Sequence, residues 1–600
     1  MNKILRSLFP DDDPYSDSRE NHTIRSYSLE LNNHDSITFN ENQIKNIISN
    51  LNSKKAPGID SISNNMIKKA AHFLIPMLKP VFNKCLELGY FPISWRSSSV
   101  KILKKPFKDD YHNPKSYRPI CLSSNLGKIL ERLILQELNK FYFRSHIIHP
   151  SQHGFTAQKS TITALKEIVD TAIEHKSIYK VALLAVDISG AFDNAWFPAI
   201  IRQLDQHNVP SSLITIIQSF LTNRKVILSH SDKVSQKSLS KGCPQGGIFS
   251  PFLWNILMND FLSNFKNDHA KAVAFADDIT FIIWSNNILN LKSEIINCFN
   301  QFHSWCSSVK LQISTPKTNI LYLHNNEKLP VALNDSLIYP SNVIKILGVH
   351  IGNHRHRNKL NFNQHINHIL HKGTRLKNAM FAFCARTWGI DSRKRIILLK
   401  TMIRPALAYG AEIWFPYITK NNIKKLDSMQ YQIIVRCIHG YRSTSSHCAH
   451  LLANVLFLSD FLRLKIIKQT THHKNDIESF YMEKFKLYLQ NTNDTFKNFF
   501  PLSVPNHIIP NKYTTLFFTG HGPFHAFLNK IKDSTNRCTC GGEETPLHLL
   551  TDCTHTEHKI LNFFTTRSLQ NYIDTKHNYI KFTQLCKYLI FPLLHRTQNT

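Results

Sequence analysis

Ala272-Val273-Ala274-Phe275-Ala276-Asp277-Asp278-Ile279-Thr280-Phe281-Ile282-Ile283 sets two adjacent carboxylates between two apolar, strand-forming runs. The pattern predicts a β-hairpin with both acids at its turn. Adjacent carboxylates repel each other, so the turn needs a compensating charge, and divalent cations are the usual one. Taken alone, the same residues fit an ordinary Asp-Asp turn equally well.

Upstream of the hairpin, residues 181–188 form a continuous apolar run that carries Asp187 near its end. The run is short enough for a buried strand, and an acid at its end is costly unless paired or bound to metal. Asp193 follows Gly190-Ala191-Phe192 and suits a helix cap as well as a ligand role. Between strand and hairpin, Gly242-Cys243-Pro244-Gln245-Gly246-Gly247 is a flexible loop that opens an apolar helix over 251–261. Glycines in such a loop allow close backbone approach to a ligand.

Further upstream, Gln152-His153-Gly154-Phe155 and Lys159-Ser160-Thr161 open a helix that runs to about His175. Before them lie a basic segment over 100–108, Tyr117-Arg118-Pro119-Ile120, and a helix over 127–141 that buries Ile129, Leu130, Leu133, Ile134 and Leu138. The Lys and Arg side chains of this stretch suit either a triphosphate or a solvated face. Residues 1–37 read as a polar leader or linker, to which no function is attached. Asn40 caps a helix with Ile44, Ile47, Ile48 and Leu51 on one face, and helical patterning resumes over 64–88.

Downstream, 291–305 reads as a helix, 311–323 carries Lys317 and ends in a strand, and 343–351 reads as a strand with a bend near Leu347-Gly348. Residues 354–405 hold many Lys and Arg against a single acid, Asp391, on helical apolar spacing. A basic helical bundle of this kind suits a phosphate backbone. Helices are expected over 403–414 and 423–438. Residues 451–510 carry no functional signal, and no internal repeat is visible.

The chain has 600 residues, with Lys+Arg 73 against Asp+Glu 42 and a net charge of +31. That charge points to a polyanionic partner, nucleic acid first. No apolar run approaches the ~18 residues of a membrane span. Met1-Asn2-Lys3-Ile4-Leu5-Arg6 lacks an apolar signal region, so secretion is not expected. The 12 cysteines are too few for a disulfide scaffold of this length and fit a reducing compartment, nuclear and/or cytoplasmic. Four soft ligands cluster near the end: Cys538, Cys540, His548 and Cys553, a spacing that suits tetrahedral zinc. Gly541-Gly542 supplies the turn, and His555 and His558 are near enough to serve as spare ligands.

In chain order, Tyr117-Arg118-Pro119-Ile120, Ala185-Val186-Asp187-Ile188-Ser189-Gly190-Ala191-Phe192-Asp193, Gly242-Cys243-Pro244-Gln245-Gly246, Phe275-Ala276-Asp277-Asp278, the Lys317 segment and Leu347-Gly348-Val349 together resemble the ordered motif set of reverse transcriptases. The form is that of non-LTR (LINE-like) retrotransposons, particularly type-1 retrotransposable elements of arthropods. Lys55-Ala56-Pro57-Gly58 and Thr519-Gly520-His521-Gly522 resemble the same family.

The resemblance implies an α+β right-hand polymerase: fingers, a palm with a small antiparallel sheet and helices on one side, a helical thumb, and a small C-terminal zinc-knuckle region. The implied boundaries are 38–100 for an N-terminal helical extension, 101–325 for fingers and palm, 326–450 for primer grip and thumb, 451–510 for a connector and 511–600 for the knuckle region. Asp187, Asp277 and Asp278 would hold two Mg²⁺ ions, with Mn²⁺ as a substitute. Lys105 (or Lys104) and Arg118 would hold the triphosphate. Phe192 would be the steric gate under the sugar, Gln245 and Gly246 would line the nucleotide and template pocket, and Lys317 would be the acid for the leaving pyrophosphate. Implied partners are an RNA template, a DNA primer or target DNA, and deoxynucleoside triphosphates, with no membrane and no stated oligomeric state.

Gly247 stands where serine is common, and residues 103–107 are a loose version of the family's Pro-Lys-Pro-Gly run. No endonuclease region precedes residue 38 and 451–510 is short for an RNase H domain, so a fragment or an element copy without nicking activity is expected. A maturase-like or telomerase-like enzyme, and a non-catalytic nucleic-acid-binding remnant, are the alternatives.

Overall fold

The computed structural model describes all residues except 30–36, 107–108, 146–147, 245, 325–328, 335, 355, 357–358, 385–388, 471–473, 533–534 and 597–600. The chain divides into two compact units, Met1–Gly348 with Gly352–Leu360, and Val349–Ile351 with Asn361–Thr600.

Two four-stranded sheets organise the described residues of the first unit. Their strands in chain order are β1 (Ser97–Lys104), β2 (Tyr117–Ser123), β3 (Lys180–Asp187), β4 (Arg224–His230), β5 (Lys233–Leu239), β6 (Ala270–Phe275), β7 (Asp278–Ser285) and β8 (Asn319–Tyr322). One sheet runs β6-β7-β3-β8 and is antiparallel throughout. The other runs β2-β1-β4-β5, with only β1 and β4 parallel.

β3 sits inside its sheet between β7 and β8, which is why it reads as an unbroken apolar run. Ala182, Leu184 and Val186 share a core with Ile279, Phe281 and Ile283 of β7 and with Ile295, Phe299 and Phe302 of the helix Ile288–Ser308. Val181, Leu183 and Ile282 fall on the opposite face and are also buried. There the helix Thr161–Lys176 packs against β3, β6 and β7. The sheet is therefore covered on both faces, not on one side as the family resemblance implied.

Several elements differ from expectation, each for a local reason. The stretch 64–88 is two helices, Asn64–Lys69 and Ala71–Glu87, divided at Ala70. Residues 343–351 form two short strands, Val343–Ile346 and Val349–Gly352, because Leu347 and Gly348 both take positive φ. The helix expected over 403–414 breaks into Arg404–Leu407 and Ala411–Trp414 at Gly410, whose φ is 64°. The basic segment after Val100 continues β1, an inner strand of its sheet, and pairs with β2, and the strands β4 and β5 have no counterpart among the expectations above.

The polar leader is folded. Helices Asn2–Leu8 and Arg19–Arg25 frame it, and Leu5, Leu8 and Phe9 enter a small core with Val100, Cys121, Val226, Leu228 and Leu239. Its acids are paired: Asp12 and Asp17 share Arg25, 13 and 8 residues on, and Asp12 also pairs with Lys310, 298 residues away.

The second unit is mainly helical, including Asn363–Ala382, Lys420–Cys437, Leu458–Thr470, Lys474–Gln490 and Lys576–Arg596. No helix among the described residues is long and apolar enough to cross a membrane.

Candidate active site and metal centres

β6 and β7 pair in a register that sets Phe275 opposite Asp278 and leaves Ala276-Asp277 as a two-residue turn. Tight hairpins need positive φ at the turn, and Ala276 supplies it with φ 57°. An alanine held there carries strain of order 1–3 kcal/mol, so its surroundings must hold it. On the other side of β7, Asp187 is the cross-strand partner of Asp278. Directly opposed side chains in such a pair have Cβ atoms about 4.5–5.5 Å apart. The three acids singled out in the sequence are thus brought together at one end of one sheet.

Lys317 joins them. The turn that carries it is tied to the end of β3 by the Ser314 N–H, which donates to the Asp187 carbonyl at 2.7 Å. The Lys317 ammonium then lies 2.6 Å from Asp187 Oδ2. Burial, and then the Asp187 charge, push the Asp277 carboxyl above its ordinary range, while Lys317 and Arg118 pull it partly back. Burial with the Asp277 and Asp187 charges pushes Asp278 up to about 6. Carboxylates that stay uphill despite a lysine are short of positive charge. Acid-only oxygen donors with that deficit suit hard divalent cations.

Arg118 lies on β2 opposite Leu103 and within electrostatic reach of Asp277. Lys105 follows β1 and its ammonium donates to the Lys115 carbonyl at 2.8 Å. Lys104 stands over the Tyr111 ring at 5.2 Å. Phe192 is half-buried, with its ring 5.5 Å from Trp254 and 6.1 Å from Phe155. Gly246 is exposed at φ 105°, and a Cβ there would stand 3.1 Å from the Cys121 carbonyl. Gln245 lies outside the described residues. The loop is stitched to the Phe192 turn: the Gly242 N–H donates to Ala195 and the Cys243 N–H to the Phe192 carbonyl at 2.7 Å.

Two buried charges that hold this loop were missed in the sequence. Glu131 accepts from the Ile248 and Phe249 N–H groups at 2.7 and 3.2 Å, where the helix Ser250–Asn264 begins. Arg224 donates to the Gly242 carbonyl at 3.4 Å. A signal for Glu131 was present, since it shares a helix face with the buried Ile134 and Leu138. Arg224 had none, because its strand was not recognised.

In the second unit, ligand atoms of Cys538, Cys540, His548 and Cys553 all lie within 4.8 Å of one another. The Cys538–Cys553 and Cys540–Cys553 sulfur separations are 3.7 and 3.8 Å. Sulfurs around one tetrahedral zinc, at Zn–S near 2.3 Å, stand about 3.8 Å apart. His548 presents Nε2 to the Cys540 sulfur at 3.0 Å. Gly542 lies under that ring, where a Cβ would come within 2.5 Å of His548 Cε1. His555 and His558 lie outside the cluster.

An antiparallel sheet that presents an acid pair on a hairpin beside a third acid on the neighbouring strand defines a polymerase-type palm. Residues 102–351 match the family described as reverse transcriptase (RNA-dependent DNA polymerase). It is 30% identical over 366 residues to the Retrovirus-related Pol polyprotein from type-1 retrotransposable element R1 of Bradysia coprophila, covering 60% of this chain and 36% of that protein. It is 29% identical over 410 residues to the RNA-directed DNA polymerase from mobile element jockey of Drosophila melanogaster, covering 66% and 43%. A 26% identical match over 557 residues to the putative 115 kDa protein in type-1 retrotransposable element R1DM of Drosophila melanogaster covers 85% of this chain and 52% of that one. The chain thus spans about half or less of the length of these relatives.

Proposed function

We propose that this chain is an RNA-directed DNA polymerase of a non-LTR retrotransposon, extending a DNA primer on an RNA template. The observation that carries the reading is the Asp187–Asp278 cross-strand pair with Asp277 at the adjoining turn, inside a domain that matches reverse transcriptases. Two Mg²⁺ ions, or Mn²⁺, held by Asp187, Asp277 and Asp278 would supply charge stabilisation to an in-line displacement at the α-phosphorus. The chain's own residues do the rest. Arg118, with Lys105 or Lys104, binds the triphosphate of the incoming deoxynucleotide. Phe192 stands under its sugar, and the loop that contains Gln245 and Gly246 frames the base and template. Lys317 holds a proton on Nζ that passes to the pyrophosphate oxygen as its bond to phosphorus breaks.

The basic residues of 354–405 support contact with the RNA–DNA duplex backbone. Cys538, Cys540, His548 and Cys553 would hold one zinc ion, and the module around them would contact the template RNA or target DNA. The test is primer extension by the purified chain on an RNA template with deoxynucleotides and Mg²⁺. Template-dependent product is expected. Its absence, with template and primer bound, would remove the polymerase reading.

A further inference from the structure

The segment Gln152-His153-Gly154-Phe155 has no part in the roles above, yet it is packed against the back of the acid-bearing turn. The Ala274 N–H donates to the Ser151 carbonyl at 2.9 Å and the His153 N–H to the Ala274 carbonyl at 2.8 Å. Residues 151–153 therefore add a short parallel rung to β6, with Gln152 paired to Ala274. The rung is anchored elsewhere. His153 Nε2 lies 2.6 Å from Glu167 Oε2, the Ser151 hydroxyl donates to Glu167 at 3.0 Å, and Lys271 pairs with the same carboxylate at 2.9 Å. Asn255 Nδ2 donates to the Gly154 carbonyl at 2.8 Å.

From this fixed frame the fully buried Gln152 side chain reaches the turn. Its Oε1 accepts from the Gly154 N–H at 2.9 Å and from the Ala276 N–H at 3.3 Å. Its Nε2 is buried with no hydrogen-bond partner among the described residues. An amide kept here at the expense of an unpaired buried donor is kept for its acceptor. Gly154 closes the contact, since a Cβ there would fall 2.1 Å from Ala276 N and 2.8 Å from Ala276 Cα. No side chain fits that gap.

We propose that Gln152 and Gly154 are positioning residues of the active site: they hold Ala276 in its left-handed conformation and thereby aim the Asp277 carboxylate. This rests on the polymerase reading, in which Asp277 binds a cation. The device makes geometric sense, because a displacement of about 1 Å in such a group can lower turnover about a hundredfold. Glycine adopts the conformation of Ala276 without strain, so Ala276→Gly should partly replace the hold.

The test compares wild type, Gln152→Met, Gln152→Glu and the double variant Gln152→Met/Ala276→Gly. Residue-resolved hydrogen exchange reads the hold without any catalysis. The Ala276 amide should be protected in wild type and should exchange at least about tenfold faster in Gln152→Met, with the rest of the domain unchanged. In primer extension, Gln152→Met should lose about tenfold or more in kcat and need several-fold more Mg²⁺, while KM for deoxynucleotide stays within about twofold. Gln152→Glu, which keeps the acceptor, should lie nearer wild type, and Ala276→Gly should restore part of the loss. Exchange of the wild-type Ala276 amide at the rate of an exposed turn would overturn the proposal, whichever variants fold. So would a folded Gln152→Met with unaltered exchange and Mg²⁺ dependence, or one whose faster exchange spreads through the whole domain. A wild-type chain that extends no primer would defeat the polymerase reading and leave the exchange result standing.

Discussion

Two groups of aspartates in the first unit have opposite electrostatics. Asp12 and Asp17 share Arg25 and Lys310: Arg25 lies 2.8 Å from Asp12 and 2.6 Å from Asp17, and Lys310 lies 2.9 Å from Asp12 and also contacts Asp17. The Arg25 hydrogen bond, with Lys310 beside it, holds Asp17 down at about 2. Burial pushes Asp12 up, but hydrogen bonds from Arg25, Lys310 and Trp196 leave it lowered. At the hairpin the balance runs the other way, and Asp277 and Asp278 are raised with Lys317 and Arg118 as partial compensation. The first group is closed by the protein's own cations. The second is left short of charge, and that deficit is what a cation from solution would fill.

The largest effect should come from Asp277→Asn, which keeps the shape and removes a charge. Primer extension should fall at least about a hundredfold, since an electrostatic contribution of this kind is often worth ~2.7–4 kcal/mol. Folding without metal should be unchanged or slightly improved, because one of three repelling carboxylates is gone. Duplex binding should persist. Extension at near the wild-type rate would sink the assignment of Asp277 as a cation ligand.

The Cys/His cluster extends the comparison to a site whose fold, on the zinc reading proposed above, would depend on its ion. β-Sheet pairing positions the palm acids, whereas little but a turn and short helices positions Cys538, Cys540, His548 and Cys553. Small modules of this type draw their folding free energy from metal. Cys540→Ser or a strong chelator should unfold the region around residues 536–561 and leave the first unit intact. Extension on a homopolymer template should survive while selective binding of the element's own RNA or target DNA weakens. Metal analysis and circular dichroism of the full chain read this directly. A protein with no stoichiometric zinc and an ordered C-terminal region would remove the zinc assignment.

What the sequence made legible follows from distance along the chain. The hairpin, the strand that ends in Asp187 and the helix after Ser160 are local patterns, and they stand as expected. Cys538, Cys540, His548 and Cys553 lie close together in the sequence and were equally visible as a cluster. Glu131, Arg224, Lys310 and Gln152 acquire meaning only through partners about a hundred or more residues away, except Arg224, whose Gly242 contact is 18 residues off. Arg224 was hidden for another reason: β5 exposes much of its length, so the β4–β5 hairpin shows no strong apolar alternation. Gln152 stands in a stretch that reads only as the opening of a helix, and nothing in its type says that it accepts from a strained turn.

The two aspartate groups should also respond oppositely to pH. Asp278, raised to about 6, keeps its proton in the metal-free fold well above its ordinary value of 3.8. Its contribution to stability is therefore lost as pH rises through that window, and cation binding, which needs the carboxylate, weakens below it. The Mg²⁺ concentration for half-maximal extension should rise about tenfold between pH 7 and pH 5, following the fraction of deprotonated Asp278. An unchanged Mg²⁺ requirement over that range would show that Asp278 titrates normally and is not short of charge.

The smallest effect sharpens the contrast most. Asp17 is held at about 2 against an ordinary 3.8, so its contribution is fully present above pH 4 and is lost as pH falls through 2. The side chain is fully buried beside Lys310, which is itself mostly buried. Asp17→Asn keeps an acceptor but leaves Arg25 and Lys310 to share Asp12 alone. A loss of about 2 kcal/mol is expected, read as a fall of a few degrees in the melting temperature of the first unit. The acid limb of its stability curve between pH 4 and 2 should flatten in the variant. Nothing in the Asp17 cluster touches the hairpin acids, so kcat should stay within about twofold of wild type and the Mg²⁺ requirement should not move. A variant as stable as wild type would mean that the leader's ion pairs only decorate a fold held by Leu5, Leu8 and Phe9. A variant that unfolds outright would mean instead that the leader is part of the palm's foundation.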